Sequence, residues 1–462
     1  MNDFVKAAVI LPAYAVVGPA LGSVIATRRN LERLVFCAMF ALTAFYPTKF
    51  TLMLNSIETY RGHVKGFEFS FIEVLAIAII VAAWKRRADG PRFLVPGAGV
   101  YLGWCALMAL SIFAAYNSLY AWMGVVKYTK IVLILIAGFH FLRDERDLFW
   151  IVRTFAGMLV FMALTCLKMR FLEGRFRTVG TFEHQNPMAM WCYFLALPVF
   201  AAGLRPATPA RDAWFYFAAV AGAGLCVLLS VSRAALGAFG VGCVAVLALA
   251  YVRGVSKRAV QISVLGALGA ALVAMVALDS VTERMKEEKS READGEEDLR
   301  LVMIAQARAM LADSKIGIGW NNYGIANSRP IERYSIIMEE WDASRGFRIY
   351  EENYTANPLT ESYYWLILGE NGYPGIVGCV AFLGVTLLFA ARSLRWHWRT
   401  SAGWFVGGLA ISLGLHYGHS LIERVLVQTK NLSVWLISVG LLAKLDYLRA
   451  KKRFLPADDR RP

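Results

Sequence analysis

Apolar runs of about 16 to 23 residues, the length that crosses a bilayer as a helix, recur along the whole chain. They fall at 5–26, 34–54, 69–84, 93–115, 118–142, 148–168, 188–204, 214–231, 234–252, 259–278, 373–391, 402–418 and 427–446. That makes thirteen segments, or twelve if the first, which contains Pro12 and Pro19, lies in the interface. The polar connections alternate in charge. Basic ones follow every second run: 28–33, Lys85 to Arg87, Arg143 to Asp147, Arg205 to Arg211, Arg253 to Arg258, Arg392 to Arg399 and Arg449 to Arg453. The positive-inside rule makes these cytoplasmic, so the N-terminus is expected outside and the C-terminus inside.

One connection is long. Residues 279–372 divide the chain into 1–278, the loop, and 373–462. Thr282 to Asp298 is dense in charge and reads as solvated. From Leu299 to Leu311 the apolar residues keep close to helical spacing, and Gly317-Ile318-Gly319-Trp320 ends the helix. Near the end of the loop Asn357 can cap a helix beginning at Pro358, with Gly372 and Pro374 as its stop. Counting i+3, i+4 and i+7 from Glu361 reaches Tyr364, Trp365 and Leu368, which predicts a surface helix with a carboxylate beside two aromatics.

The composition agrees with the pattern. Of 462 residues 58% are hydrophobic and 18% charged, and mean hydropathy is +0.49, which excludes an ordinary soluble domain. The expected class is an all-α polytopic membrane protein. Val5 to Ala26 lacks a cleavable-signal pattern and reads as a retained span. All seven cysteines lie in apolar segments without metal-ligand spacing and read as buried thiols. A net charge of +15 raises the question of nucleic acid, but 279–362 carries 17 acidic and 11 basic side chains, a net of −6 that leaves +21 elsewhere. Basic residues gathered in alternate short connections fit a membrane surface, not nucleic acid.

The outer connections hold the candidate chemistry. Arg175 and Arg177 precede Gly180 to Pro187, Arg233 follows Ser232 at a span end, Arg300 opens the loop helix, and Glu361 lies near the loop's end. A guanidinium at the edge of an apolar phase needs an anionic partner. An internal ion pair or a lipid headgroup would serve, as would a pyrophosphate, which suits the planar two-pronged donor. His184 is either a packing histidine or a ligand contact. Asn186-Pro187 either caps the next span or reaches a ligand, and Tyr363, Tyr364 and Trp365 form either an interfacial belt or a sugar platform. Glu370 reads as a structural acceptor. Lys127 and Lys130 lie within a span, either snorkelling or holding a lipid phosphate. The outer segments show no phosphate-binding glycine loop, acidic metal pair or His/Cys cluster, so neither metal nor cofactor is expected.

Several of these segments resemble the family of O-antigen ligases and O-antigen polymerases. Arg177-Thr178-Val179-Gly180-Thr181-Phe182-Glu183-His184-Gln185-Asn186 is similar to its Arg, Gly-Thr-Phe, His-x-Asn pattern, and Ser232-Arg233-Ala234 to its Ser-Arg-(Gly/Ala) segment. Arg300 through Gly317 to Tyr323 resembles the stretch ending in Gly-x-Gly-x-x-x-(Phe/Tyr), and Glu361 to Gly375 the close of the large loop. Where the family commonly has histidine and asparagine, this chain has Glu361 and Ser362. The resemblance implies a metal-independent inverting glycosyltransferase with a GT-C-like membrane fold in the bacterial inner membrane, active on its periplasmic face. Its implied partners are an undecaprenyl-pyrophosphate-linked glycan donor, a glycan acceptor and membrane lipids, with a flippase and chain-length regulator in the same pathway.

On that reading Arg177 and Arg233, assisted by Arg300, hold the donor pyrophosphate, and Glu361 is the catalytic base. His184, Asn186, Tyr364 and Trp365 complete the substrate contacts. Glu361 in the histidine position favours a polymerase over a ligase. A flippase or other transporter is the rival class, and an export scaffold a third. Transporters tend to place their charged sites near the bilayer midplane, whereas here the arginines gather at one face.

Overall fold

A computed structural model describes residues 3–45, 51–57, 60, 62–86, 94–269, 271, 298–327, 334 and 359–450. Helix dominates. In chain order the elements are α1 (Asp3–Ile25), α2 (Arg29–Thr43), β1 (Thr51–Leu54), β2 (Phe67–Ser70), α3 (Phe71–Arg86), α4 (Ala98–Ala114) and α5 (Ser118–Phe141). Then follow α6 (Glu145–Leu172), α7 (Gln185–Leu204), α8 (Ala210–Ser230), α9 (Arg233–Arg253) and α10, which is described over 257–269. The last four are α11 (Asp298–Asp313), α12 (Tyr363–Trp396), α13 (Ser401–His419) and α14 (Thr429–Ala450). Every apolar run coincides with a helix over at least part of its length, the run at 259–278 as far as it is described. Among the described residues eight helices, α1, α5 to α9, α12 and α14, are long and apolar enough to cross a membrane. The remaining apolar runs form shorter or more polar helices. This is an all-α polytopic membrane protein.

Two helices form the centre. In α7 and α14, 94% of the most apolar 18-residue stretch is buried, against 22% in α1 and α9. A helix apolar on every side belongs in the interior, and one apolar yet open to the outside suits lipid. Side-chain and backbone caps set the starts: Asn117 Oδ1 accepts from the amides of Leu119 and Tyr120, and Asp144 and Asp147 form a reciprocal capping box at α6.

The basic connections meet at one end. Glu32, fully buried, accepts from Arg86 at 2.5 and 2.7 Å and from Arg143 at 2.8 and 3.0 Å, and Arg29 lies 2.6 Å away. Asp147 pairs with Arg29 and Arg33, and Arg205 with Glu145 at 3.0 Å. Arg258 donates to the carbonyls of Gly203, Arg205 and Thr208. The other connections share the opposite end, where Asn321 bonds Val64, Asn117 bonds Asn322, and the Thr178 amide donates to Leu229.

Two local expectations are corrected. The run 34–54 is not one helix: α2 stops at Thr43, and Thr51 to Leu54 pairs antiparallel with Phe67 to Ser70. Hydropathy records apolar letters and misses a distant pairing partner. The loop-end helix begins at Tyr363, with Ser362 as its cap, so Glu361 lies outside it. A helix from Pro358 would send the Tyr363 amide to Leu359, but it donates instead to Ser420, while Arg424 occupies the Leu359 and Thr360 carbonyls. The stop expected at Gly372 is present: its backbone is non-helical, with φ 61° and ψ −156°, and a second helix runs on from there to Trp396. Asn357, Pro358 and most of Thr282 to Asp298 lie outside the described residues.

Candidate functional site

The predicted loop helix exists as α11, and the turn after it fastens it to the bundle. Gly317 and Gly319 take φ of 83° and 109°, and the amides of Ile318 and Gly319 donate to Gly369 and Glu370 of α12. The buried Glu370 carboxylate accepts from the amides of Asn321 and Tyr323, each at 3.0 Å. It is a structural acceptor, as its sequence position suggests. This docking carries Arg300, at the other end of α11, to the segment before α12.

There Arg300 Nε donates to Glu361 Oε2 at 2.6 Å, and its Nη2 lies 4.0 Å from Glu423 Oε1. Asn186 Nδ2 donates to the same Glu423 oxygen at 2.6 Å. Arg424, half-buried, holds the Leu359 and Thr360 carbonyls at 2.5 and 3.5 Å and so fixes the backbone that presents Glu361. One guanidinium thus faces two carboxylates drawn from separate connections. Burial, and then the negative charge of Glu361, push the Glu423 carboxyl up to about 7, against the opposing pull of Arg300, the Asn186 hydrogen bond and Arg424.

His184 caps α7, its Nδ1 accepting from the Asn186 amide at 3.4 Å. Asn186 is therefore not the cap, and its side chain is committed to Glu423. Burial and the Arg424 charge hold the His184 imidazole below its ordinary pKa; Glu361 opposes them, and Arg177 adds to them. These mutual fields place Arg177, His184, Glu361 and Arg424 around one polar region. Arg177 is exposed and forms no ion pair among the described residues. Arg233 opens α9 next to Val231, whose φ is 58°, and the Thr178–Leu229 hydrogen bond brings its connection to the same end.

The two aromatics diverge from the surface-helix expectation. Tyr364 donates to the Tyr417 carbonyl at 2.9 Å, toward α13, and the Trp365 ring lies 5.1 Å from the Arg308 guanidinium. With Glu361 outside the helix, the i+3 and i+4 count that joined the three has no basis. Sequence reasoning missed Glu423 and Arg424. Their signal was an adjacent acid and base in the short connection after α13. Lys127 donates to the carbonyls of His63 and Val427, and Lys130 pairs with Glu73 at 2.6 Å, so both bind protein groups.

The fold and these residues define a polytopic membrane protein with a polar, arginine- and carboxylate-bearing cluster where the connections at one end converge. A family model described as O-antigen ligase matches residues 217–380, and the match supports the O-antigen ligase/polymerase family. With it comes, in general, ligase- or polymerase-type activity of a membrane glycosyltransferase-like enzyme on a lipid-linked glycan donor and an acceptor. The matched stretch contains Arg233, Arg300 and Glu361; Arg177, His184, Asn186, Glu423 and Arg424 lie outside it. Among curated proteins, none matches the chain.

Proposed function

We propose that the protein is an inverting, metal-independent glycosyltransferase that polymerises polysaccharide repeat units carried on undecaprenyl pyrophosphate, at the periplasmic face of the inner membrane. The observation that carries this reading is the Arg300–Glu361 pair beside Glu423, a cation and two carboxylates assembled from two connections. Arg177 and Arg233 bind the donor pyrophosphate, and Arg300 joins them. An exposed ion pair contributes about 0–1 kcal/mol. The side chains of Arg300 and Glu361 are 56% and 39% exposed, so a dianionic pyrophosphate can draw Arg300 away. Glu361 is then free to accept a proton.

The acceptor hydroxyl loses its proton to the Glu361 carboxylate as its oxygen bonds the anomeric carbon from the face opposite the leaving group. The bond from that carbon to the pyrophosphate oxygen breaks, and the lipid pyrophosphate departs with the electron pair, its charge met by the guanidiniums. His184 and Asn186 line the approach, and Tyr364 and Trp365 support the wall behind it.

Glu361→Gln is expected to lower polymer formation by about 10²- to 10⁴-fold in proteoliposomes supplied with a lipid-linked repeat. Wild-type polymer from that variant would remove Glu361 as the base. The second reading is a ligase, favoured by the description of the matching family. A strain lacking the protein separates them: products of a single repeat mean polymerase, and intact lipid-linked polymer left unattached means ligase. Lipid-linked repeat stranded on the cytoplasmic leaflet would instead indicate a transporter.

A further inference from the structure

At the end of the bundle opposite the candidate site, two basic connections come together around a cation that has no hydrogen bond. Arg253, the last residue of α9, lies with its guanidinium carbon 4.4 Å from the centre of the Trp398 ring and 4.8 Å from that of Trp404. Its Nε, Nη1 and Nη2 are all buried, and none makes a hydrogen bond among the described residues. Aromatic faces stabilise a cation but do not satisfy five N–H donors. Beside it starts α13, whose first residue, Ser401, is 8% exposed with an Oγ that is also buried and unbonded. A helix N-terminus carries partial positive charge, which suits an anion and disfavours a neighbouring guanidinium.

Neither connection carries an acid of its own. The stretches 253–258 and 392–399 contain six basic residues and neither Asp nor Glu. Among the described residues Arg253, Arg395 and Arg399 form no ion pair, and the nearby Asp446 is taken by Arg392 and Arg449. Arg395, Trp396, Trp398, Arg399 and Thr400 line an open cavity of about 540 Å³, the volume of a small-molecule site. Trp398 belongs to both features, covering Arg253 and walling the cavity.

The surroundings identify the ligand. Val252 and Val255 are 75% and 74% exposed and Trp396 is 49% exposed, so the basic cavity borders an apolar belt at the end of the spans. A free phosphate has no use for that belt, whereas an amphiphile fills both parts. We infer that this is a binding site for the phosphodiester headgroup of an anionic phospholipid. Arg395 and Arg399 grip the phosphate oxygens, Arg253 and the start of α13 supply positive potential from behind Trp398, and the acyl chains descend along the exposed face of α9. Basic pockets between spans on the cytoplasmic side bind acidic lipids by this chemistry.

The full-length protein, purified in mild detergent and exposed to mixed phosphatidylglycerol and phosphatidylcholine, is examined by native mass spectrometry. Wild type is expected to retain phosphatidylglycerol at least tenfold over phosphatidylcholine. Arg395→Gln/Arg399→Gln, which changes only exposed side chains, should hold one phosphatidylglycerol fewer, and Arg253→Gln should weaken retention tenfold or more. Equal retention by wild type and the double variant would overturn the proposal, whether or not Arg253→Gln folds. If inorganic phosphate at 10 mM strips the lipid lost in the double variant, the site takes free phosphate and the lipid assignment fails.

Discussion

Glu361 and Glu423 face the same guanidinium yet differ in environment. The Glu361 side chain is 39% exposed and bonded to Arg300; that of Glu423 is 13% exposed and bonded to the neutral Asn186. For Glu423 the folded-state pKa is raised, so the folded protein holds its proton more tightly than the unfolded chain between 4.5 and about 7. The stability this carboxyl contributes is full below 4.5 and is lost as pH rises through about 7. Between pH 5 and pH 8 the wild type should therefore lose thermal stability relative to Glu423→Gln, by no more than about 3 kcal/mol. Identical melting-temperature profiles for the two proteins across that interval would contradict the assignment. In a transfer assay the same variant should remove any inflection near pH 7 that belongs to this group. Arg177, Arg233, Arg300 and Glu361 could be singled out because charges stand out in apolar sequence, and of these Arg300 and Glu361 meet directly. The pairing of Asn186 with Glu423 was not, since 237 positions separate them.

Among the elements, α11 and α12 are joined by backbone. A Cβ on Gly317 would stand 2.3 Å from the Glu370 carbonyl oxygen, and one on Gly372 would stand 2.1 Å from that of Lys315. Both residues also have φ values that L side chains rarely adopt. Gly317→Ala and Gly372→Ala should each lower the melting temperature, losing about 1 kcal/mol from the left-handed backbone alone and more from overlap. Gly103→Ala, in a helix with no heavy atom within 4 Å of the added methyl, should raise it through a gain of about 1 kcal/mol in helix propensity. Unchanged melting of both loop variants would show that α11 is not fastened in this way. Helix α11 was readable from its own periodicity. The start of α12 was not, because Ser420 and Arg424 take the groups that an earlier turn would have used.

The whole molecule is arranged as two polar ends around an apolar middle, and hydropathy gave that arrangement almost completely. What hydropathy could not give is how the charges at each end are satisfied. Three arginines from three connections converge on Glu32, which has no exposed surface. Removing a buried carboxylate leaves its partners uncompensated, at a cost of about 3–5 kcal/mol. Glu32→Gln should thus reduce the detergent-solubilised melting temperature far more than the loss of an exposed pair, such as Arg153 with Asp212 in Arg153→Gln. Equal effects would mean that the inner network is not what joins α2, α3 and α6.

The anchorage of Arg424 to Leu359 and Thr360 has a consequence for how a bulky glycan gets in. Arg300 rides on a helix bolted to the bundle, whereas Glu361 sits in a non-helical strap held by Arg424, by the Tyr363–Ser420 hydrogen bond and by the buried Leu359 and Thr360. A visiting sugar therefore meets two jaws with separate footings, one on α11 and one on the Arg424 segment, and the gape is set by how those two are seated.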